Sequence, residues 1–335
     1  MEKYISLAHG DGGELSHQLI KDVFIEAFGD GNAALFDAAA ITMTTHRIAV
    51  TTDSFVIKPI FFPGGSIGKL AIAGTVNDLA VSGANPAFLT CGFVIEEGFP
   101  ISDLKRIVTD MADEAKKTGV TIVAGDTKVV ERGSADGVYI NTTGIGIYED
   151  TRGCSLEFEE GDAIIVSGTI GDHGIAVLAA RGELGITVPI NSDCASLNKM
   201  LSEVLRSTDG VRIMRDPTRG GIATTLVEIA EDFHLTMKIN ELDLPIREEV
   251  HGVCDILGFD PLFLANEGKA IIVVADREKE KEKVIDILRE FPEGRDAAVI
   301  GSIIGKGKGQ LLLETPLGSK RLLTRLSGTM FPRIC

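Results

Sequence analysis

The sequence predicts an α+β protein built as two halves of similar size. Three observations carry this. Short apolar runs alternate with helical stretches in both halves. Glycine is abundant, at 38 of 335 residues, while aromatics are only 5% and tryptophan is absent, which suits a chain of many tight turns. The polar segment Glu149, Asp150, Thr151, Arg152 and Gly153 divides the two halves. The expected organisation is an N-terminal Gly-rich arm and helix (1–35), a first domain (36–150), a second domain (151–325) and a tail (326–335).

In the first half, residues 48–52 are a β-branched strand. Residues 66–81 read as a helix rich in small residues, suited to close packing. Residues 87–95 are apolar enough for a strand. Leu104, Ile107, Val108, Met111 and Ala115 mark one face of the next helix, with Ser102 placed to cap it. Residues 120–124 and 138–148 follow as strands. The second half repeats the rhythm without a clear sequence repeat. It has a strand at 163–167 and helices at 174–181, about 196–206 and 220–233. A strand at 270–275, a charged amphipathic helix at 278–291 and a strand at 297–303 follow. Beyond Gly305 come a basic turn, a strand at 310–314 and the tail.

Lys and Arg total 33 against 49 Asp and Glu, a formal charge of −16. Such a balance argues against nucleic acid or an anionic membrane as the main partner. No apolar run approaches the ~18 residues of a membrane span, and no signal peptide is expected. Cys91, Cys154, Cys194, Cys254 and Cys335 are scattered, with no CxxC pair, so neither zinc nor a disulfide framework is indicated. A reducing cytoplasm is the expected home. Cys91 and Cys254 sit in apolar contexts and read as core.

Three aspartates are expected where apolar elements meet loops: Asp53 after residues 48–52, Asp78 after Gly74-Thr75-Val76-Asn77, and Asp126 after Ile122-Val123-Ala124-Gly125. Aspartate is a common turn and cap residue, but three beside Thr, Asn or Gly can converge on Mg2+, which prefers hard oxygen ligands. The segment His9-Gly10-Asp11-Gly12-Gly13-Glu14 fits either a flexible arm or a backbone cradle for phosphate. Gly64-Gly65-Ser66-Ile67-Gly68-Lys69-Leu70 resembles a Walker A loop but fails on spacing and on Leu70. Lys128 could reach phosphate or transfer a proton, or be a surface lysine. Asn266-Glu267-Gly268-Lys269 precedes an apolar strand and suits a catalytic carboxylate or a turn. Asp216-Pro217-Thr218-Arg219-Gly220-Gly221 leads into a helix and is an anion site or a capped turn. The six histidines show no ligand spacing. Cys335, the last residue given, places a thiol beside a carboxylate on a segment stiffened by Pro332.

Together these motifs, with Thr52-Asp53-Ser54, Gly125-Asp126-Thr127-Lys128 and Pro332-Arg333-Ile334-Cys335, resemble the HypE family of carbamoyl dehydratases, hydrogenase maturation factors. That family belongs to the superfamily of aminoimidazole ribonucleotide synthetase and selenophosphate synthetase. The resemblance spans nearly the whole chain. It implies an aminoimidazole ribonucleotide synthetase-like two-domain fold, a homodimer whose N-terminal domains pair into a β-barrel, and a mobile C-terminal tail. It implies ATP at the dimer interface, contacted by Gly10, Gly12, Gly13, Thr52, Asn77 and Thr127, and Mg2+ held by Asp53, Asp78 and Asp126. It further implies that a HypF carbamoyltransferase loads a carboxamide onto Cys335. The ATP-dependent reaction then dehydrates it to a thiocyanate, with Lys128 and Glu267 as proton acceptors or relays. Cyanide then passes to iron on a HypC–HypD complex, for the nickel–iron hydrogenase centre. A small-molecule kinase such as selenophosphate synthetase is the alternative. That enzyme keeps a reactive cysteine or selenocysteine near its N-terminal Gly-rich loop, whereas the first cysteine here is Cys91.

Overall fold

A computed structural model describes residues 13–19, 39–42, 47–148, 154–182, 185, 187–277 and 279–326. The expected boundary at 149–153 lies outside the described residues, as does the expected tail beyond Leu326. Helix α1 (Glu14–Leu19) comes first. The first half then builds a five-stranded sheet from β1 (Ala39–Thr42), β2 (Arg47–Phe55), β5 (Asn85–Glu96), β6 (Thr121–Val130) and β7 (Val138–Ile147). The strand order is β1-β2-β7-β5-β6, antiparallel except where β6 runs parallel to β5. Among the described residues the sheet is open, with β1 and β6 at its edges. A small hairpin of β3 (Phe61–Phe62) and β4 (Gly65–Ser66) leads into α2 (Ile67–Val81), and α3 (Ile101–Thr118) follows β5.

Helix α2 is apolar on nearly every side and almost wholly buried, as such a sequence requires. Ser66 caps it by accepting the Lys69 N–H. Its small residues allow close contact: a Cβ at Gly68 would lie 2.3 Å from the Ile107 carbonyl oxygen of α3. Helix α3 is amphipathic, with Ile107, Met111 and Ala115 buried. Its cap differs from expectation. Pro100 occupies the N-cap and Ser102 lies inside the first turn, because proline's fixed φ already sets the chain for a helix.

The second half holds β8 (Ala163–Val166), α4 (Asp172–Arg181), α5 (Asn198–Ser207), β9 (Val211–Arg215), α6 (Gly221–Asp232), β10 (Leu235–Asn240), α7 (Glu248–Leu257), β11 (Ile271–Val274), α8 (Glu280–Arg289), β12 (Ala298–Lys306), β13 (Gln310–Glu314) and β14 (Lys320–Leu323). Its sheet order is β14-β13-β10-β12-β8-β11-β9. Central strands are covered on both faces, hence their unbroken apolar runs. Ile164, Val166, Ile271 and Val273 face α6, while Ile165, Ile272 and Val274 face α5 and α8. Ala80 and Val81 of α2 join that second cluster, so α2 is the seam between the halves.

Strand β9 was not expected. Arg212 and Arg215 interrupt its apolar pattern, yet Arg212 is buried, its Nε 3.0 Å from Asp162 Oδ2. Strands β2 and β6 run further than expected, because each keeps its ladder through the polar residues. Asp53 and Asp126 therefore stand inside strands and Asp78 inside α2, not at element ends. Among the described residues no helix is long and apolar enough to cross a membrane.

Candidate active site

The first sheet presents two different faces. Alternation along β2 turns Thr51, Asp53 and Phe55 toward α2 and leaves Thr52 and Ser54 on the uncovered side. On the helix side, a Cβ added at Gly74 of α2 would lie 3.7 Å from Asp53 Oδ2. One turn further along α2, Asp78 accepts the Thr51 hydroxyl at 2.7 Å. Asp53 and Asp78 thus flank the same stretch of α2. Asn77 is turned to the other domain: its Nδ2 donates to Ala195 O (2.9 Å), and its Oδ1 accepts from Leu197 N (2.8 Å). Both ends of this side chain hold the seam.

The uncovered side carries the other expected residues. Ser54 pairs with Asn141, Asn141 with Gly92, and Gly92 with Asp126, so Asp126 shares the face of Ser54 and Asn141. Lys128 lies two residues on, on the same face, its Nζ 3.0 Å from Asp126 Oδ2. The Lys128 bond and the Thr127 amide hold the Asp126 carboxyl below its usual range. Thr52, Asn141, Ser54 and Thr143 form an exposed hydroxyl and amide lattice beside them. Thr127 points to the α3 side, lining a cavity of about 350 Å³ with Cys91, Val108 and Val123.

Asp53 and Asp126 are therefore on opposite faces and three strand spacings apart, about 14 Å. Among the described residues no group of three or more His, Cys, Asp or Glu could hold a metal ion. One chain in this arrangement does not gather Asp53, Asp78 and Asp126 into one centre.

It does bring Glu267 to Asp53. Glu267 is buried at the seam, within electrostatic range of Asp53, Asp193, Asp216 and Arg219. Burial first, then the three aspartates, push its carboxyl well above the carboxylate range, against the pull of Arg219. Asp53 is raised too, by burial, with Arg219 and the Ser54 amide opposing.

The rest of the Asn266–Lys269 segment is held tightly. Glu267 N donates to Asp193 Oδ1 (3.1 Å). Ala195 N donates to Glu267 O (3.4 Å). Lys269 Nζ lies 3.5 Å from Asp193 Oδ2. A Cβ at Gly268 would fall 1.9 Å from Asp193 O, so only glycine permits this contact. The loop carrying Asp193 is itself fixed to the first domain. Ser192 N donates to Pro63 O (2.8 Å), and Ser196 Oγ donates to Glu114 Oε1 (2.6 Å). Beside it, fully buried His173 shares a 2.8 Å hydrogen bond between its Nδ1 and Ser192 Oγ. Burial pushes the imidazole pKa down to about 4, with Asp193 opposing.

Sequence reading did not single out Asp193 or His173. Asp193 lies in an irregular loop with no periodicity to mark it, and its role is visible only once residues 266–269 pack against it. His173 shows no ligand spacing because its partners are a serine and the edge of Phe62. Of the cradle residues, Gly13 is buried and its carbonyl accepts the His17 N–H (3.1 Å). Gly10, Gly12 and Cys335 lie outside the described residues.

A two-domain α+β chain with acidic side chains and a buried glutamate at its domain seam matches a known class. The family model of the AIR synthase related protein N-terminal domain matches residues 35–148, and that of the C-terminal domain matches residues 159–314. Carbamoyl dehydratase HypE of Rhodobacter capsulatus is 45% identical over 338 residues, covering 100% of this chain and 99% of its own length. Among solved structures, a HypE–HypF complex aligns with TM-score 0.85 and 46% identity, covering 92% of this chain and 99% of that one. The hydrogenase maturation protein HypE in complex with ATP aligns with TM-score 0.82 and 44% identity, covering 99% of this chain and 100% of that one. The chain belongs to the HypE carbamoyl dehydratase family of AIR synthase related proteins.

Proposed function

We propose that this protein is an ATP-dependent carbamoyl dehydratase that converts a carboxamide on the sulfur of its own Cys335 to a thiocyanate. The observation that carries the reading is Glu267. It is a buried carboxyl whose proton affinity is raised, on a rigid segment beside Asp53, in a chain alike over its full length to HypE carbamoyl dehydratases.

The chemistry asks for such a group. An amide oxygen is a poor leaving group. Transfer of the ATP γ-phosphoryl to it leaves S–C(OPO3)=NH and ADP with release of one N–H proton. Loss of phosphate and the second N–H proton gives S–C≡N. Glu267 in its ionised form accepts one proton, and burial with its neighbouring aspartates makes it a stronger base than an ordinary carboxylate. Lys128, paired with Asp126 on the far face, would act as the second acceptor or a phosphate contact only from a second copy. The glycine amides of the cradle (Gly10, Gly12, Gly13) with Thr52 are the nucleotide contacts, whereas Asn77 is engaged at the seam through both ends of its side chain and Thr127 faces α3.

Glu267 lies within electrostatic range of Asp53, Asp193 and Asp216, with Arg219 and Lys269 among the cations beside them; this negative field favours Mg2+, although among the described residues no three carboxyls of one chain form a ligand set. Asp53 and Asp78 would hold the ion. Asp126, on the far face, would complete the set only from a second copy. Bound Mg2+ supplies charge neutralisation for the transferred phosphoryl group.

A homodimer is the assembly that fits. Strand β6 is exposed along almost its whole length, with Val123 at 55% and Val129 at 69%. Phe88 and Val94 of β5 are exposed on the uncovered face beside it. An open edge and exposed apolar residues beside it are what a paired sheet would cover, and closure of two such sheets is the expected dimeric barrel. A HypF carbamoyltransferase is the loading partner and a HypC–HypD complex the cyanide acceptor. A cytoplasmic setting fits the free thiols of Cys91, Cys154, Cys194 and Cys254.

The carrier role is within geometric reach. Arg325, one residue before the last described, is held to Glu231 of α6 at 2.6 Å. The chain from Leu326 to Cys335 can span at most about 30 Å. The path back along α6 to Gly221, near Asn266, is only about 15 Å. Intact-protein mass spectrometry with HypF, carbamoyl phosphate and ATP tests the reading. A carboxamide adduct on the last peptide should form and then lose one water, in an ATP-dependent way. A Cys335→Ala protein that still accepts and dehydrates the group would refute it.

A further inference from the structure

Glu267 is held from both sides, and only one side is explained by the Asp193 loop. We infer that Asn266 is the positioning residue that fixes the Glu267 carboxyl, by clamping together the two glycine turns that open α4 and α6. The inference rests on the reading of Glu267 as a proton acceptor.

Asn266 is 1% exposed. Its Oδ1 accepts the Gly171 N–H at 2.8 Å. Its Nδ2 donates twice, to Pro217 O at 3.1 Å and to Leu264 O at 3.0 Å. Its own N–H donates to Pro217 O at 3.2 Å. Gly171 is the N-cap of α4 and Gly220 that of α6. Both take positive φ, and neither helix has a side-chain cap. Asn266 accepts the Gly171 N–H on one turn and donates to the Pro217 carbonyl on the other, so it ties the two turns to one point. The chemistry dictates the residue type. The site needs one acceptor and two donors on a short, planar side chain. Aspartate lacks the donors, serine has one, and glutamine is a methylene too long.

The next peptide unit is then fixed at both ends, by Asn266 before it and by the Asp193 bond to Glu267 N after it. The Glu267 carboxyl, facing Asp53, Asp193, Asp216 and Arg219, is left to move only about its own side-chain bonds. Each buried hydrogen bond here spares a polar group that would otherwise be stranded. A misplacement of the acceptor by about 1 Å costs roughly 100-fold in rate.

The test is a double-mutant cycle on the dehydration step, followed by single-turnover mass spectrometry of the HypF-loaded full-length protein. Asn266→Asp should slow dehydration about 100-fold, with loading by HypF and ATP binding unchanged. Glu267→Asp keeps a carboxyl displaced by one methylene. In that background, Asn266→Asp should add far less than its own factor, because both act on one carboxyl. Losses that multiply, or an Asn266→Asp protein that dehydrates at the wild-type rate, would overturn the inference. A Glu267→Asp protein at the wild-type rate would overturn the reading of Glu267 itself, and this inference with it. If Asn266→Asp does not fold, Asn266→Ser removes a donor without adding charge, and the same outcomes apply.

Discussion

Gly268→Ala is the substitution whose cost the geometry fixes most directly. The new Cβ would lie 1.9 Å from Asp193 O and 2.9 Å from Ala195 N, both main-chain atoms that cannot swing aside. Residues 266–269 and 193–195 would have to part by roughly 1.5 Å to reach ordinary contact distance. That separation breaks the hydrogen bonds from Glu267 N to Asp193 (3.1 Å) and from Ala195 N to Glu267 O (3.4 Å). Two bonds at about 1 kcal/mol each, with about 1–2 kcal/mol of overpacking strain, give about 3–4 kcal/mol. For a domain of this size that lowers the unfolding midpoint by roughly 10 °C. Circular dichroism melting measures it, and dehydration should slow as Glu267 moves. A Gly268→Ala protein that melts with the wild type and dehydrates at its rate would refute the close contact and the rigid placement argued from it.

Three further outcomes follow from the same geometry. Glu267 has a raised folded pKa, so its contribution to stability is present at low pH and lost as pH rises through that pKa. Glu267→Gln should therefore melt no lower than wild type near neutral pH while the carboxamide adduct persists undehydrated, and a lower midpoint with normal dehydration would contradict this. His173, pushed down to about 4 from 6.5 by burial, takes up a proton on unfolding. Stability should be full above pH 6.5 and fall toward pH 4 at about 1.4 kcal/mol per unit. In urea unfolding across that range, His173→Gln should show a flatter acid limb, and an unchanged limb would count against the buried neutral imidazole. Val123→Asp places a charge on the exposed β6 strand. Sedimentation should show a dimeric wild type and a monomeric, folded variant, whereas a variant that stays dimeric would exclude β6 from the interface.

Patterning reached the fold unevenly. The small-residue helix α2 and the apolar strands β8 and β11 were legible because burial on all sides leaves an unbroken apolar run. Strand β9 was not, because its arginines are neutralised by carboxylates distant in sequence. Helix α7 was missed within a stretch with no marked boundary. The candidate site divided in the same way. The aspartates were visible as residues, but their faces depend on strand register, which turned Asp53 toward α2 and Asp126 away from it. Glu267 was visible as part of a motif. Its raised pKa was not, since burial and three distant aspartates create it. Asp193 carried no local signal, because its work is done against a segment more than 70 residues away.

In the proposed reaction the amide oxygen leaves as phosphate. The direct measurement is to load Cys335 with a carboxamide carrying heavy oxygen, start a single turnover with ATP, and follow the label by mass spectrometry. The label should appear in inorganic phosphate as the protein adduct loses its oxygen. Label recovered in water, with none in phosphate, would contradict it.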